Sequence, residues 1–118
     1  MLIRIDPESP AALFDQVAAS VRADVLAGRL VPGDRLPSAR EVAASVDINV
    51  HTVLRAYQQL RDEGLIDLRR GRGAVIAASA APLADLAGDL ADLVRRADEL
   101  GISPTTLASL LKESSHDG

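Results

Sequence analysis

Between Leu36 and Ile76 the chain reads LPSAREVAASVDINVHTVLRAYQQLRDEGLIDLRRGRGAVI, and no other stretch restricts the fold as much. Ser38 precedes Ala39-Arg40-Glu41, the S-x-x-E pattern whose side chains satisfy the free amides at a helix start. Val42, Ala43 and Val46 lay an apolar stripe on the short helix that follows. Asp47-Ile48-Asn49 interrupts it, and Asn49 is a good cap for a second helix. Val50, Val53, Leu54, Tyr57 and Leu60 then recur at helical spacing up to Gly64, a residue suited to a helix C-terminus. Two short helices joined by so tight a turn form a helix-turn-helix.

The segment after Gly64 changes period. Leu65-Ile66-Asp67-Leu68 reads as a strand, Arg69-Arg70-Gly71-Arg72-Gly73 as a turn, and Ala74-Val75-Ile76 as a returning strand, which together make a wing. A tight turn needs glycine for positive φ but has no structural need for three arginines in five residues. Cations gathered on an exposed loop suit a polyanion, so Arg70, Gly71 and Arg72 are candidate contacts to a phosphate backbone. The second helix of a helix-turn-helix is the one offered to the DNA major groove by its N-terminal residues. Asn49, His51, Thr52 and Arg55 occupy that end here, and arginine can pair bidentately with guanine O6 and N7. Tyr57 continues the Val53 and Leu60 stripe and reads as core. The Gly71-Arg72-Gly73 pair of glycines is no nucleotide loop, since it lacks the βαβ setting.

A net charge of −4 would oppose nucleic-acid binding if it were evenly spread, but it is not. Residues 1–77 carry ten arginines against ten acids, whereas residues 78–118 carry three cations against seven acids. The acidity therefore sits apart from the proposed reading surface, where a local basic patch suffices. The chain has no cysteine, which excludes disulfides, thiolate metal sites and a cysteine nucleophile. His51 has no second metal ligand three or four residues on, and His116 lies in the tail, so no cofactor is expected. With no leader and no membrane-spanning run, the expected setting is a reducing cytoplasm. No paired carboxylates or Ser/His/Asp set suggests an enzyme.

Either side of the motif, Leu2-Ile3-Arg4-Ile5 alternates like an edge strand beside the wing. Ala11 to Ala27 reads as a first helix, with Leu13, Phe14, Val17, Ala18, Val21, Val25 and Leu26 in step; Ser9 would cap it, with Pro10 at its first position. After a small-residue joint at 77–82, Leu83, Leu86, Leu90, Leu93, Ala97 and Leu100 step by 3, 4, 3, 4 and 3, the a/d seam of one helix over 83–100. Gly101 ends it, and Ser103-Pro104 opens a last helix bearing Leu107, Leu110 and Leu111, with 114–118 frayed. So much apolar face on two helices points to self-association over the alternative, an arm that packs back on its own winged domain. The expected class is α+β, mainly α: a winged helix-turn-helix over 1–77 followed by a two-helix dimerisation arm over 78–118.

The pieces LPSAREVA, TVLRAYQQL, EGLI and RRGRGAVI, in this order over residues 10–77, resemble the winged helix-turn-helix of GntR-family bacterial transcription regulators, and the short tail resembles the YtrA-type branch. Two departures stand out. Asp47 occupies a place where the family often has glycine, and Asn49-Val50-His51-Thr52 replaces a common Ser-Arg-Thr. The resemblance implies that Ser38 and Arg40, in the Pro37-Ser38-Ala39-Arg40-Glu41 motif, contact DNA. It implies a homodimeric repressor reading an inverted repeat in double-stranded DNA. It also implies that short members often sit beside membrane-transport genes. Two helices leave no room for a pocket of several hundred Å³, so any small-molecule effector would bind at the dimer interface or between arm and wing domain. The alternative is a winged-helix protein–protein adaptor that binds no DNA, against which the arginines argue.

Overall fold

The structure, a computed structural model, describes residues 3–9 and 11–116. It divides into two compact units, one ending at Asp85 and the other beginning at Leu86. The first unit is a winged helix-turn-helix. It holds α1 (Leu13–Leu26), α2 (Ala39–Val46), α3 (Val50–Asp62), β1 (Ile66–Arg69), β2 (Gly73–Ile76), a 3-10 turn (Ala78–Ala80) and α4 (Ala81–Asp85). Val17, Ala18, Val21 and Val25 of α1 meet Val42 and Ala43 of α2 and Val53, Ala56, Tyr57 and Leu60 of α3. Leu65, Ile66, Ala74 and Ile76 of the hairpin close the same core. Each fully buried Val or Leu there contributes about 1.5–3 kcal/mol.

Local chemistry explains the element ends. The Ser38 hydroxyl accepts a hydrogen bond from the Glu41 amide at 3.1 Å and so starts α2. Asp47 ends α2 in the left-handed region, at φ 55 and ψ 54. Glycine would rest there without strain, which accounts for this chain's departure at that position: a short polar side chain tolerates the conformation at a cost of about 1–2 kcal/mol. The Ile48 amide returns to the Ala43 carbonyl at 3.0 Å, and Ile48 packs on the core. The Asn49 side-chain Oδ1 then accepts from the His51 amide at 2.8 Å and opens α3.

Three expectations are corrected in this unit. Residues 3–5 form no strand; the Arg4 amide and carbonyl are both satisfied by the Ser20 hydroxyl, each at 3.1 Å, and Leu2 lies outside the described residues. The free edge of β2 is taken instead by 33–36. Gly33 donates to the Ile76 carbonyl, Ile76 to Asp34 and Leu36 to Ala74, around a bridge between Arg35 and Val75. The first helix starts at Leu13, not Ala11, and Ser9 accepts from the Ala11 amide in a turn of its own; Pro10 lies outside the described residues.

The first unit also runs past the expected boundary at 77. Ala77 donates to the Leu65 carbonyl, Ser79 donates to the Gly64 carbonyl, and Ala80 and Leu83 pack on the core. The expected continuous helix over 83–100 is therefore two helices. Leu86, at φ −89 and ψ −7, separates α4 from α5 (Ala87–Glu99), and its carbonyl accepts from the Leu90 amide at 2.8 Å as the first bond of α5.

The second unit consists of α5 and α6 (Pro104–His116). Gly101 turns the chain at φ 76, Ile102 donates to the Ala97 carbonyl, and the Ser103 hydroxyl caps α6 by accepting from Thr106 at 3.2 Å. The last helix runs to His116, so it continues past the expected fraying point at Ser114. Among the described residues of this unit, Ala97 alone is buried. Among the described residues, no helix is long and apolar enough to cross a membrane.

Candidate nucleic-acid interface

The candidate surface is assembled by α2, α3 and the wing. On α3, Val53, Ala56, Tyr57 and Leu60 face the core, so the helix period turns His51, Arg55 and Gln58 to the opposite side, where all three are exposed. Tyr57 does more than fill space. It is 3% exposed, and its hydroxyl donates to the Pro37 carbonyl at 2.6 Å, tying α3 to the entry of α2. Burial raises its phenol above the ordinary range, and Glu41 adds to the effect, so the hydroxyl keeps the proton it donates.

Each residue singled out in the sequence has a definite place. Ser38 and Asn49 use their side-chain oxygens as helix caps. Thr52 is half-buried in the first turn of α3. Arg40 is exposed on α2. The Arg55 guanidinium lies over the Phe14 ring of α1, 3.8 Å from its centroid. At the wing, Arg69 pairs with Gly73 in the strand register, leaving Arg70-Gly71-Arg72 as the tip. Gly71 sits at φ 81 there, where a side chain would strain the turn. Arg72 donates its amide to the Arg69 carbonyl at 3.1 Å, and the whole tip is exposed.

The arginines fall into two groups. Arg22 meets Glu63, Arg29 meets Asp24, Arg61 meets Asp62, Arg69 meets Asp67 and Arg95 meets Asp92. Among the described residues, Arg40, Arg55, Arg70 and Arg72 have no carboxylate within 4.0 Å. Arg4, Arg35 and Arg96 also lack a carboxylate there, but Arg4 lines a separate groove beside α1, Arg35 donates to the Arg72 carbonyl, and Arg96 belongs to the second unit.

One contributor escaped the sequence reading. Arg35 reaches across with its Nε to the Arg72 carbonyl at 3.0 Å and braces the wing tip. Arg35, Pro37, Ser38 and Arg72 line an open groove of about 610 Å³ that sets the start of α2 beside the wing. The two arginines are 37 residues apart, and nothing local to Arg35 announces the contact.

Of the leucine seam, Leu83 is half-buried inside the first unit, and Ala97 is covered within the described chain. Leu86, Leu90, Leu93, Leu100, Leu110 and Leu111 are exposed, and Leu107 is half-buried.

Residues 13–76 match the family model described as bacterial regulatory proteins, gntR family. The chain is 34% identical over 122 residues to the HTH-type transcriptional repressor YtrA of Bacillus subtilis (strain 168), covering 98% of this chain and 94% of that relative. It is 28% identical over 116 residues to the HTH-type transcriptional regulator YhcF of the same organism, covering 94% and 96%. Among solved structures, YtrA from Sulfolobus acidocaldarius, a GntR-family transcription factor, superposes with a TM-score of 0.62 at 34% identity, covering 82% of this chain and 97% of that one.

Proposed function

The chain belongs to the gntR family of bacterial regulatory proteins, and from that premise we propose that it is a repressor that binds an inverted-repeat operator as a homodimer. Like its relatives it is a DNA-binding transcription regulator and not an enzyme. The observation that carries the DNA reading to residues is the freedom of Arg40, Arg55, Arg70 and Arg72 beside arginines held by carboxylates. A folded chain leaves an arginine unpaired at no benefit to its own stability, whereas a phosphate or a guanine edge uses the free guanidinium directly. The wing pair serves the backbone, and His51, Thr52 and Arg55 at the start of α3 face the base edges. Ser38 and Asn49 act first as caps that orient these helices.

The homodimer reading rests on the second unit. One recognition helix spans few base pairs, so tight binding calls for two copies with half-sites about 10–10.5 bp apart or a multiple of it. A two-fold dimer then demands an inverted repeat. The exposed Leu90, Leu93, Leu100, Leu110 and Leu111 supply the apolar surface for that pairing. The sense of regulation follows the relative named a transcriptional repressor, and its place of work is the cytoplasm, where bacterial DNA lies.

The test is a mobility shift on genomic fragments, repeated across salt with the native chain and an Arg70→Ala/Arg72→Ala variant. The native chain should select discrete fragments. The variant should weaken binding to every fragment and flatten the slope of log K against log[salt] by about 2 × 0.9. No selection by the native chain would overturn the DNA reading, and an unchanged slope would remove the wing from the contact.

A further inference from the structure

Arg55 is the base reader of the proposed function, and the role assigned to its neighbour rests on that reading. Its guanidinium lies 3.8 Å above the ring of Phe14, a residue 41 positions earlier on a different helix. Phe14 is half-buried and packs against the core of the first unit, so the ring is anchored. Arg55 itself is exposed, and among the described residues none of its N–H groups finds a protein acceptor. The contact therefore fixes where the cation is while leaving its donors unused.

That combination has a physical consequence. The guanidinium is planar, its N–H donors lie in that plane, and its faces stack on aromatic rings. With its central carbon over the Phe14 ring and its N–H groups without a protein acceptor, the guanidinium keeps free the donors that pair with guanine O6 and N7. A free arginine would surrender its rotamer freedom on meeting DNA, whereas one already held over a ring has less to lose. We propose that Phe14 is a positioning residue for Arg55, so that α1 orients the guanidinium whose edge reads the base. The aromatic ring, more than its volume, is the needed feature. Phe14 touches no DNA and acts through Arg55.

The test uses the full chain and a fragment that the native protein selects, with a random duplex of equal length as reference. Phe14→Leu keeps an apolar side chain but removes the ring, and Phe14→Tyr keeps the ring. Phe14→Leu should bind the selected fragment about 2- to 5-fold more weakly, the range expected for an exposed cation–π contact. Binding to the random duplex should change by less than about 2-fold. Phe14→Tyr should restore native affinity. In an Arg55→Ala background, Phe14→Leu should have no further effect, which a purely structural role could not produce. If Phe14→Leu does not fold, Phe14→Met takes its place in the same cycle.

Three results would overturn the inference while leaving the function intact: equal losses on both duplexes, additive losses with Arg55→Ala, or tighter binding by Phe14→Leu. The last would mean that the ring withholds Arg55 from DNA. A native chain that selects no fragment would overturn both readings together.

Discussion

The two units of this chain draw on the same apolar residues and use them in opposite ways. In the first, three helices and a hairpin close on one another, and Val17, Val21, Val53, Leu60, Ile66 and Ile76 are all but sealed from water. In the second, α5 and α6 are joined by a short turn, Ala97 is buried, and Leu86 and Leu100 remain 60% and 67% exposed. Two helices cannot enclose a core of their own. A periodic apolar stripe thus records that a face needs covering, while saying nothing of which chain supplies the cover. In the proposed division of roles, the first unit covers itself and reads DNA, and the second covers a second copy.

Deleting the second unit tests that contrast with the largest effect. A chain cut after Asp85 keeps Leu83, Ala80 and the Ser79 tie to Gly64, so it should remain folded. Its operator affinity should fall about 10²- to 10⁴-fold, because the second half-site contact is no longer tethered. Circular dichroism and a mobility shift on the same sample check both parts. A folded truncated chain that binds like the native one would break the comparison, since the second unit would then contribute nothing to DNA binding.

Making the same substitution in each unit sharpens it. Leu60→Ala should cost about 2–5 kcal/mol of stability in thermal or urea unfolding, much of what a small domain possesses. Leu90→Ala removes a side chain that is 37% exposed in the chain alone. Unfolding of the first unit should then hardly change, and the loss should register as weaker self-association. Equal effects on the melting of the first unit would contradict the division of roles.

The smallest effect lies at Glu63, which joins α1 to the end of α3 through Arg22. The Arg22 Nε meets its Oε1 at 2.8 Å. That hydrogen bond and the cation's charge hold the Glu63 carboxyl below its ordinary range, despite the opposing effect of burial. The folded state therefore favours the ionised form. Its contribution is complete above the ordinary value that the unfolded chain keeps, and fades as pH falls through the lower folded value. Both side chains are about a third exposed, so the solvent-screened contribution is small. Glu63→Gln should lose about 0.2–1 kcal/mol at pH 7, and the gap should close at acid pH. A gap that stays constant down to pH 2 would show that the ion pair is not its source.

Much of the first unit was legible because its signals are local. Ser38 and Asn49 cap the helices they were expected to cap, and Gly64 and the Arg70-Gly71-Arg72 tip end and turn the chain where residue chemistry requires it. What could not be read depends on partners distant in the chain. Residues 3–5 have strand-like alternation, yet 33–36 reaches the edge of β2 first. The break at Leu86 hides inside an unbroken leucine period, because nothing in that spacing marks where one helix stops and the next begins. At the site, the types and positions of Arg40, Arg55, Arg70 and Arg72 were plain in the sequence. Their freedom from carboxylates, the Arg35 brace and the Phe14 platform arise only from the packing of α1, α3 and the hairpin.

Sedimentation equilibrium of the intact chain addresses the central claim without any need to know the operator. The second unit should hold two copies together, so at tens of micromolar, about ten times a micromolar dissociation constant, the measured mass should be about twice 12.4 kDa. It should revert to a monomer when the chain is cut after Asp85. A mass of 12.4 kDa for the intact chain at that concentration would contradict the claim, and would leave its exposed leucines without the partner assigned to them.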